Sequence, residues 1–212
     1  KVRALLAYLA LSPVPVPRSR ICDLLWDVAN DPRGELRWCL SKLRAVLGDR
    51  IAASADMLSL DLDGCFIDAL ALADGAERAD ALDVAALRAA AGLAAGEFMA
   101  GLEIGRSLHF NTWMAGQRRR FAGCAAAVLE HLAARLAPGE ALPVCEKWIE
   151  IAPLDERAQG ALLSNLAKLG RFAEGEAHLA TAAGLLAAEG LDAAPLREAW
   201  RAARAARCSA SS

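Results

Sequence analysis

The stretch PRGELRWCLSKLRAVL, residues 32–47, decides how the first part of this chain folds. Four of its leucines recur at intervals of four, three and four residues, which places them on one side of a helix with 3.6 residues per turn. They are Leu36, Leu40, Leu43 and Leu47. Arg37, Ser41 and Arg44 fall on another face. The spacing therefore predicts an amphipathic helix with a buried leucine stripe and a separate polar face.

The polar face of this helix suits the major groove of DNA. Arginine pairs there with guanine through two hydrogen bonds, and a helix fits the width of the groove. Exposed arginines are also typical of an ordinary solvated helix surface. The flanking segments therefore have to decide between the two interpretations.

Two more helices are predicted before this one. Residues Lys1 to Leu11 carry apolar residues at helical spacing, and the prolines between Ser12 and Pro17 end that helix in a connection. A short apolar stripe from Arg18 to Trp26 predicts the second helix, closed by the Asp31-Pro32 turn.

A small β-hairpin is predicted after the third helix. Gly48 can end that helix in a left-handed conformation, and two short extended stretches follow, Arg50 to Ala53 and Met57 to Leu60. Three helices and then a hairpin is the order of a winged helix-turn-helix, in which the third helix enters the groove and the hairpin touches the phosphate backbone.

These segments resemble a known family. The strings KVRALLAYLAL (1–11), PRSRICDLLWD (17–27) and RGELRWCLSKLRAVLGDRI (33–51) are similar to the OmpR-like winged helix of bacterial regulators of the SARP/AfsR type. Phe98 to Gly101, Trp113, Arg118 and the strings WIEIAPLDE (148–156) and LAKLGRFAEGEA (166–177) resemble the bacterial transcriptional activator domain that follows it. The resemblance implies a sequence-specific DNA-binding regulator, in most cases an activator, with RNA polymerase subunits as further partners.

The chain departs from the family pattern in two places. The family's winged helix begins with a small β-sheet, whereas this sequence begins within the first helix, so a truncated winged helix is expected. Trp38 and Cys39 also stand on the third helix where smaller or more polar residues are usual. Trp38 is expected to contact DNA, a partner domain or the core.

The predicted DNA contacts divide by role. Base-edge contacts are assigned to Arg37, Ser41 and Arg44, and phosphate or groove-edge contacts to Arg33 and Lys42. Arg50 and the hairpin are assigned to the DNA backbone.

The charge distribution agrees with this division. The 212 residues carry a net charge of −2. Residues 1–60 hold nine basic and six acidic residues, whereas residues 61–212 hold 15 basic and 20 acidic ones. Only residues 1–60 carry more basic than acidic side chains, so only this segment is expected to attract phosphate. Because the excess is small, useful affinity is expected from a homodimer on adjacent half-sites.

The rest of the sequence argues against other classes of site. Six scattered cysteines without C-x-x-C spacing or nearby histidines predict no metal site and fit a reducing compartment; they are Cys22, Cys39, Cys65, Cys124, Cys145 and Cys208. No signal peptide or membrane span is recognised, so a cytoplasmic protein is expected.

No catalytic site or cofactor is predicted either. The three histidines, His109, His131 and His178, lie far apart on expected helices, and no Gly-rich phosphate loop is present. The run Arg118-Arg119-Arg120 is expected to contain one packed arginine and two solvated ones.

The sequence after a boundary near Gly64 is predicted to be helical throughout, apart from a connector with one short extended piece at Asp61 to Ala69. Six or seven helices are expected from Leu70 onward, four of them near 111–136, 140–151, 155–169 and 172–188. Residues around Gly170 are close to the tetratricopeptide (TPR) pattern of helical hairpins, although Gly175 stands where alanine is usual. Such hairpins provide surfaces for proteins.

The predicted fold class is mainly α: a truncated winged helix-turn-helix over residues 1–63, then an all-helical TPR-like domain over residues 64–212. Two alternatives stay open. The chain could be a protein-interaction scaffold whose winged helix no longer binds DNA, with Trp38 as the docking surface, or the regulatory end of a larger signalling ATPase or cyclase.

Overall fold

A computed structural model of the chain describes residues 1–27, 30–105 and 107–209, with side chains as far as residue 207. The protein is mainly helical, as predicted. Ten α-helices and a three-stranded sheet lie within the described residues. By their contacts these residues divide into two compact units, each with cores of its own.

The first unit begins with three helices and a small antiparallel sheet. The helices are α1 (Val2–Ala10), α2 (Arg18–Leu25) and α3 (Pro32–Leu47). Strands β1 (Val16–Pro17), β2 (Ile51–Ala53) and β3 (Met57–Leu60) form a sheet in the order β1-β3-β2. The hairpin prediction is confirmed, since Ile51 pairs with Leu60 and Ala53 with Leu58.

Strand β1 was not predicted. The connection from residue 12 to residue 17 was expected to be irregular, but Val16 pairs with Leu58 and Pro17 with Met57. A strand of two residues is too short to show any periodicity, and proline usually argues against a strand. Pro17 fits because β1 lies at the edge of the sheet. The short extended piece expected at 61–69 is replaced by a turn, in which the Cys65 amide donates to the Leu62 carbonyl.

The first unit also includes residues that follow much later in the chain. It comprises Lys1–Leu70 and Gly96–Arg120, so it is discontinuous in sequence, unlike the single division near Gly64 that the sequence suggested. Phe110 and Met114, from the first turns of α6 (Leu108–Arg135), are buried in the same core as Leu5, Leu25 and other residues of the three helices. The Ser107 hydroxyl donates to the Leu24 carbonyl over 2.7 Å at the start of this segment.

The second unit is entirely helical within the described residues. It comprises Ala71–Ala95 and the described residues from Phe121 onward. Most of α4 (Asp68–Glu77), α5 (Val84–Leu93), the second half of α6, α7 (Pro138–Ile151), α8 (Glu156–Lys168), α9 (Phe172–Ala188) and α10 (Ala194–Ser209) lie in it. The bounds predicted for the ninth helix are confirmed to the residue.

Helix α8 is the centre of the last part of this unit, because it packs against α7, α9 and α10. Leu163 of α8, Leu186 of α9 and Trp200 of α10 share one buried cluster. Asp155 caps α8 by accepting a hydrogen bond from the Arg157 amide, which agrees with the helix start predicted there.

Candidate nucleic-acid interface

Helix α3 has one buried face and one exposed face. Leu36, Leu40 and Leu43 are at most 5% exposed and pack into the core of the first unit. Cys39 is buried beside them, and burial raises the pKa of its thiol, so it remains protonated and acts as a small apolar side chain. The leucine stripe predicted from the sequence is confirmed, with Leu47 partly buried at its end.

Local sequence sets both ends of α3. At its start the Asp31 carboxylate accepts a hydrogen bond from the Gly34 amide over 2.8 Å, and Pro32 occupies the first helical position. Gly34 fits beneath this cap because a Cβ there would lie 2.1 Å from an Asp31 carboxylate oxygen. At its end Gly48 has a φ of +60°, which favours glycine.

The exposed face of α3 carries the three predicted base-reading residues and Arg33 on one continuous arc. Arg33, Arg37, Ser41 and Arg44 are all exposed and follow one another at intervals of four, four and three residues. The charge of Arg37 is only weakly engaged within the protein, because its guanidinium lies 3.9 Å from the Asp31 carboxylate and both side chains are about 70% exposed. We name Arg33, Arg37, Ser41 and Arg44 the arginine arc.

Trp38 and Lys42 lie beside the arginine arc. The Trp38 side chain is 56% exposed, so it does not belong to the core. The Lys42 ammonium lies 5.5 Å from the centroid of its ring, within the range of a cation–π contact. The structure therefore groups five of the six predicted DNA-contacting residues, Ser41 included, on the exposed side of one helix.

Arg50 is the predicted residue that lies apart from this group. It follows α3 in a single 3₁₀ turn, Gly48–Arg50, and it is partly buried. Its guanidinium donates to the carbonyls of Asp63, over 2.7 Å, and Asp61, over 3.5 Å. Arg50 thus binds the segment that follows β3, residues 61–63. Contact of Arg50 with a phosphate would have to use the other N–H groups of its guanidinium.

The hairpin tip brings a further arginine to this region that the sequence did not suggest. Residues 54–56 at the tip include Asp56 but no basic residue. Arg18 lies against them, since its amide donates to the Asp56 carbonyl over 2.8 Å and its guanidinium to the Ser54 carbonyl over 3.4 Å. Only the pairing of β1 with β3 places Arg18 there, and that pairing has no local sequence signal.

The other predicted polar groups do not assemble into a second site. Arg118 is the packed member of its arginine run, because it donates to the carbonyls of Phe98 and Met99 and pairs with Glu97, whereas Arg119 and Arg120 are exposed. Among the described residues, no group of three or more His, Cys, Asp or Glu side chains could hold a metal ion.

His178 of α9 connects this helix to α8 through a hydrogen bond. Its Nε2 donates to the Gln159 Oε1 over 2.6 Å, and burial lowers the pKa of the imidazole. The Gln159 amide group in turn donates to the Pro153 carbonyl. The first of these bonds joins α9 to α8.

None of the helices among the described residues is long and apolar enough to cross a membrane. Comparison of the chain with protein-family models found no match, and comparison with curated proteins found none either.

Proposed function

We propose that this chain is a sequence-specific DNA-binding transcriptional regulator with a winged-helix reading head. The observation that carries the proposal is the arginine arc, an exposed row of three guanidinium groups and a hydroxyl on a helix whose opposite face is buried. Two helices precede α3 and the hairpin follows it, which is the order of a winged helix-turn-helix, in which the third helix enters the major groove.

In this proposal each part of the surface has one role. Arg37, Ser41 and Arg44 read base edges, and the arginines pair with guanine N7 and O6. Arg33 and Lys42 contact phosphates at the groove edges and fix the orientation of the helix. The hairpin, with Arg18 and Arg50 behind it, lies along the DNA backbone.

The charge of the first unit indicates how tightly one copy would bind. Its segments, 1–70 and 96–120, contain 13 basic and 11 acidic residues, so no broad field attracts DNA. We propose that two copies bind adjacent half-sites as a homodimer held by the helical second unit, because linked binding raises affinity without new DNA contacts. As an activator, the bound dimer would present its helical hairpins to RNA polymerase subunits in the cytoplasm of a bacterium.

Selection of bound duplexes from fragmented genomic DNA tests the proposal. We expect enrichment of a motif repeated at about one helical turn, and an affinity that falls steeply between 50 and 200 mM salt. The double variant Arg37→Ala/Arg44→Ala should lose the enrichment. Arg197→Ala, which removes an equivalent exposed charge on α10, should keep it. Selection without any enriched motif at either salt concentration would contradict the proposal.

A second candidate is a protein-interaction module, and the exposed Trp38 is the observation that favours it. An exposed tryptophan is a common anchor of protein interfaces. The same selection separates the two candidates: a scaffold would enrich no motif, and Trp38→Ala would then abolish capture of its protein partner without any effect on DNA.

A further inference from the structure

Trp38 lies in the middle of the exposed face of α3, where several of its neighbours are small. The residues four before, three after and seven after it on the same side of the helix are all small: Gly34, Ser41 and Ala45. Its large neighbours on that side are Glu35, three residues before it, and Lys42, whose ammonium lies over the ring. Of the other tryptophans, Trp26, Trp148 and Trp200 are at most 3% exposed and Trp113 is partly buried. Trp38 is therefore a protruding apolar group at the centre of the surface that is proposed to enter the groove.

On the basis of the proposed function, we propose that Trp38 is a specificity-determining residue whose indole packs against the C5 methyl group of a thymine in the major groove. The thymine methyl is the apolar group of the recognition pattern in that groove, and the other groups of the pattern are hydrogen-bond donors or acceptors. The exposed indole ring is almost entirely apolar, with one N–H donor and no acceptor. The face of the ring therefore suits the methyl better than the polar edge groups.

The surroundings of Trp38 favour DNA over a protein as its occupant. Exposed cations lie on both sides of the ring, with Arg37 and Arg44 on the arginine arc and Lys42 on the other side. Lysine is depleted at protein interfaces, so the Lys42 ammonium over the ring favours DNA as the occupant. Cations on both sides of one apolar group match a groove, in which a phosphate chain runs along each edge.

Replacement of thymine by deoxyuridine tests the proposal, because it removes the methyl group and leaves the hydrogen-bonding edge intact. In the selected motif, each thymine is replaced in turn and the Kd of the whole chain is measured by fluorescence anisotropy at one salt concentration. We expect one position in each half-site at which the replacement weakens binding about fourfold, which is the effect of one buried methyl group. Trp38→Ala should bind the thymine and deoxyuridine duplexes with the same Kd.

Two matched variants accompany this measurement. Trp38→Phe keeps an apolar ring and should retain at least part of the discrimination. Val46→Ala removes an apolar side chain that is 84% exposed on the same helix, and it should discriminate as the wild type does. Since Trp38 is exposed, the circular dichroism spectrum of Trp38→Ala should equal that of the wild type.

The possible failures can be told apart. Equal binding of thymine and deoxyuridine duplexes by the wild type at every position, within a motif that is still selected, would overturn the role of Trp38 and leave the proposed function standing. Full discrimination by Trp38→Ala would do the same and would transfer the methyl contact to another residue. If no duplex binds more tightly than random DNA, the proposed function fails and this inference fails with it.

Discussion

Arg44 and Lys42 are two residues apart on α3 but have different surroundings. Arg44 belongs to the arginine arc, whereas the Lys42 ammonium lies over the Trp38 ring at the other side of the exposed face. A guanidinium can bind a guanine edge through two parallel hydrogen bonds, whereas an ammonium acts as a point charge. The two side chains should therefore contribute to DNA binding in different ways.

We expect Arg44→Ala to weaken binding to the selected motif by about 1–3 kcal/mol and to relax specificity at one base pair. Lys42→Ala should weaken binding to all sequences alike and reduce the salt dependence by about one released counterion. Anisotropy titrations on the motif and its single-base variants at several salt concentrations measure both effects. If Arg44→Ala weakened binding equally on every sequence, Arg44 would be a phosphate contact.

Gly175 shows why a glycine can replace the alanine that the helical-hairpin pattern expects. It is buried on α9, and a Cβ at this position would lie 2.2 Å from the Trp200 ring. The Trp200 indole N–H donates to the Glu176 carboxylate over 2.9 Å, so the ring is held in place. The Trp200 ring of α10 therefore occupies the space that a side chain at position 175 of α9 would need.

Gly175→Ala should therefore lower the free energy of unfolding by about 1–3 kcal/mol, as overpacked core substitutions do. Gly184→Ala is the matched control on the same helix. It is exposed with no neighbour within 4 Å, and it should stabilise the protein by about 0.5–1 kcal/mol through helix propensity. Urea unfolding of both variants checks the prediction, and a stable Gly175→Ala protein would show that Trp200 can move away.

His178 makes the stability of the protein depend on pH. Burial favours its neutral form, so the pKa of the folded imidazole lies below the unfolded value of about 6.5. Below that pH the His178 imidazole is protonated in the unfolded chain, whereas burial disfavours its protonation in the folded chain. We expect stability to be full above about pH 6.5 and to decline as the pH falls. Urea unfolding at pH 7.5 and 5.5 should show a smaller decline for His178→Gln than for the wild type, whereas His109→Gln, at an exposed position, should decline as the wild type does.

At the scale of one element, α3 depends on its cap as much as on its leucine stripe. The Asp31 carboxylate accepts a hydrogen bond from the Gly34 amide at the start of the helix. Because Gly34 has no side chain, the carboxylate has room beside it. The same helix start carries Arg33 and Arg37, so the cap also sets the position of the arginine arc.

Asp31→Ala should lower the free energy of unfolding by about 0.5–2 kcal/mol, since the Gly34 amide loses its partner. Asp31→Asn should recover most of this stability, because asparagine caps helices about as well as aspartate. Thermal and urea unfolding measure both variants. Equal loss in the two variants would mean that the charge of Asp31, through its weak pair with Arg37, is the important feature.

At the scale of the whole molecule, the core of the first unit includes residues far beyond residue 70. Ile104, Phe110 and Met114 lie in its core although they follow the first helices of the second unit in sequence. Phe110 is fully buried, and its ring centroid lies 5.5 Å from that of Trp113. The Trp113 ring in turn lies edge-on to the ring of Tyr8 in α1.

Phe110→Ala should therefore lower the free energy of unfolding of the first unit by about 3–5 kcal/mol. Leu108→Ala, two residues earlier in the same helix and 73% exposed, should change it by less than about 0.5 kcal/mol. Unfolding monitored by tryptophan fluorescence compares the two variants. An unchanged first unit in Phe110→Ala would show that residues 96–120 are not needed for its stability.

The sequence by itself determined the mainly helical class, α3 with its two faces, the hairpin after it and the long helix α9. In each case a local repeat of apolar residues, a capping residue or a turn is sufficient, because 3.6-residue and two-residue periods are properties of neighbouring positions. Only the tertiary structure decided that Val16–Pro17 joins the sheet, that Phe110 completes the first core and that Trp200 fills the space above Gly175. These contacts join residues that lie 25 or more positions apart in the chain. No local pattern records which distant surfaces are complementary.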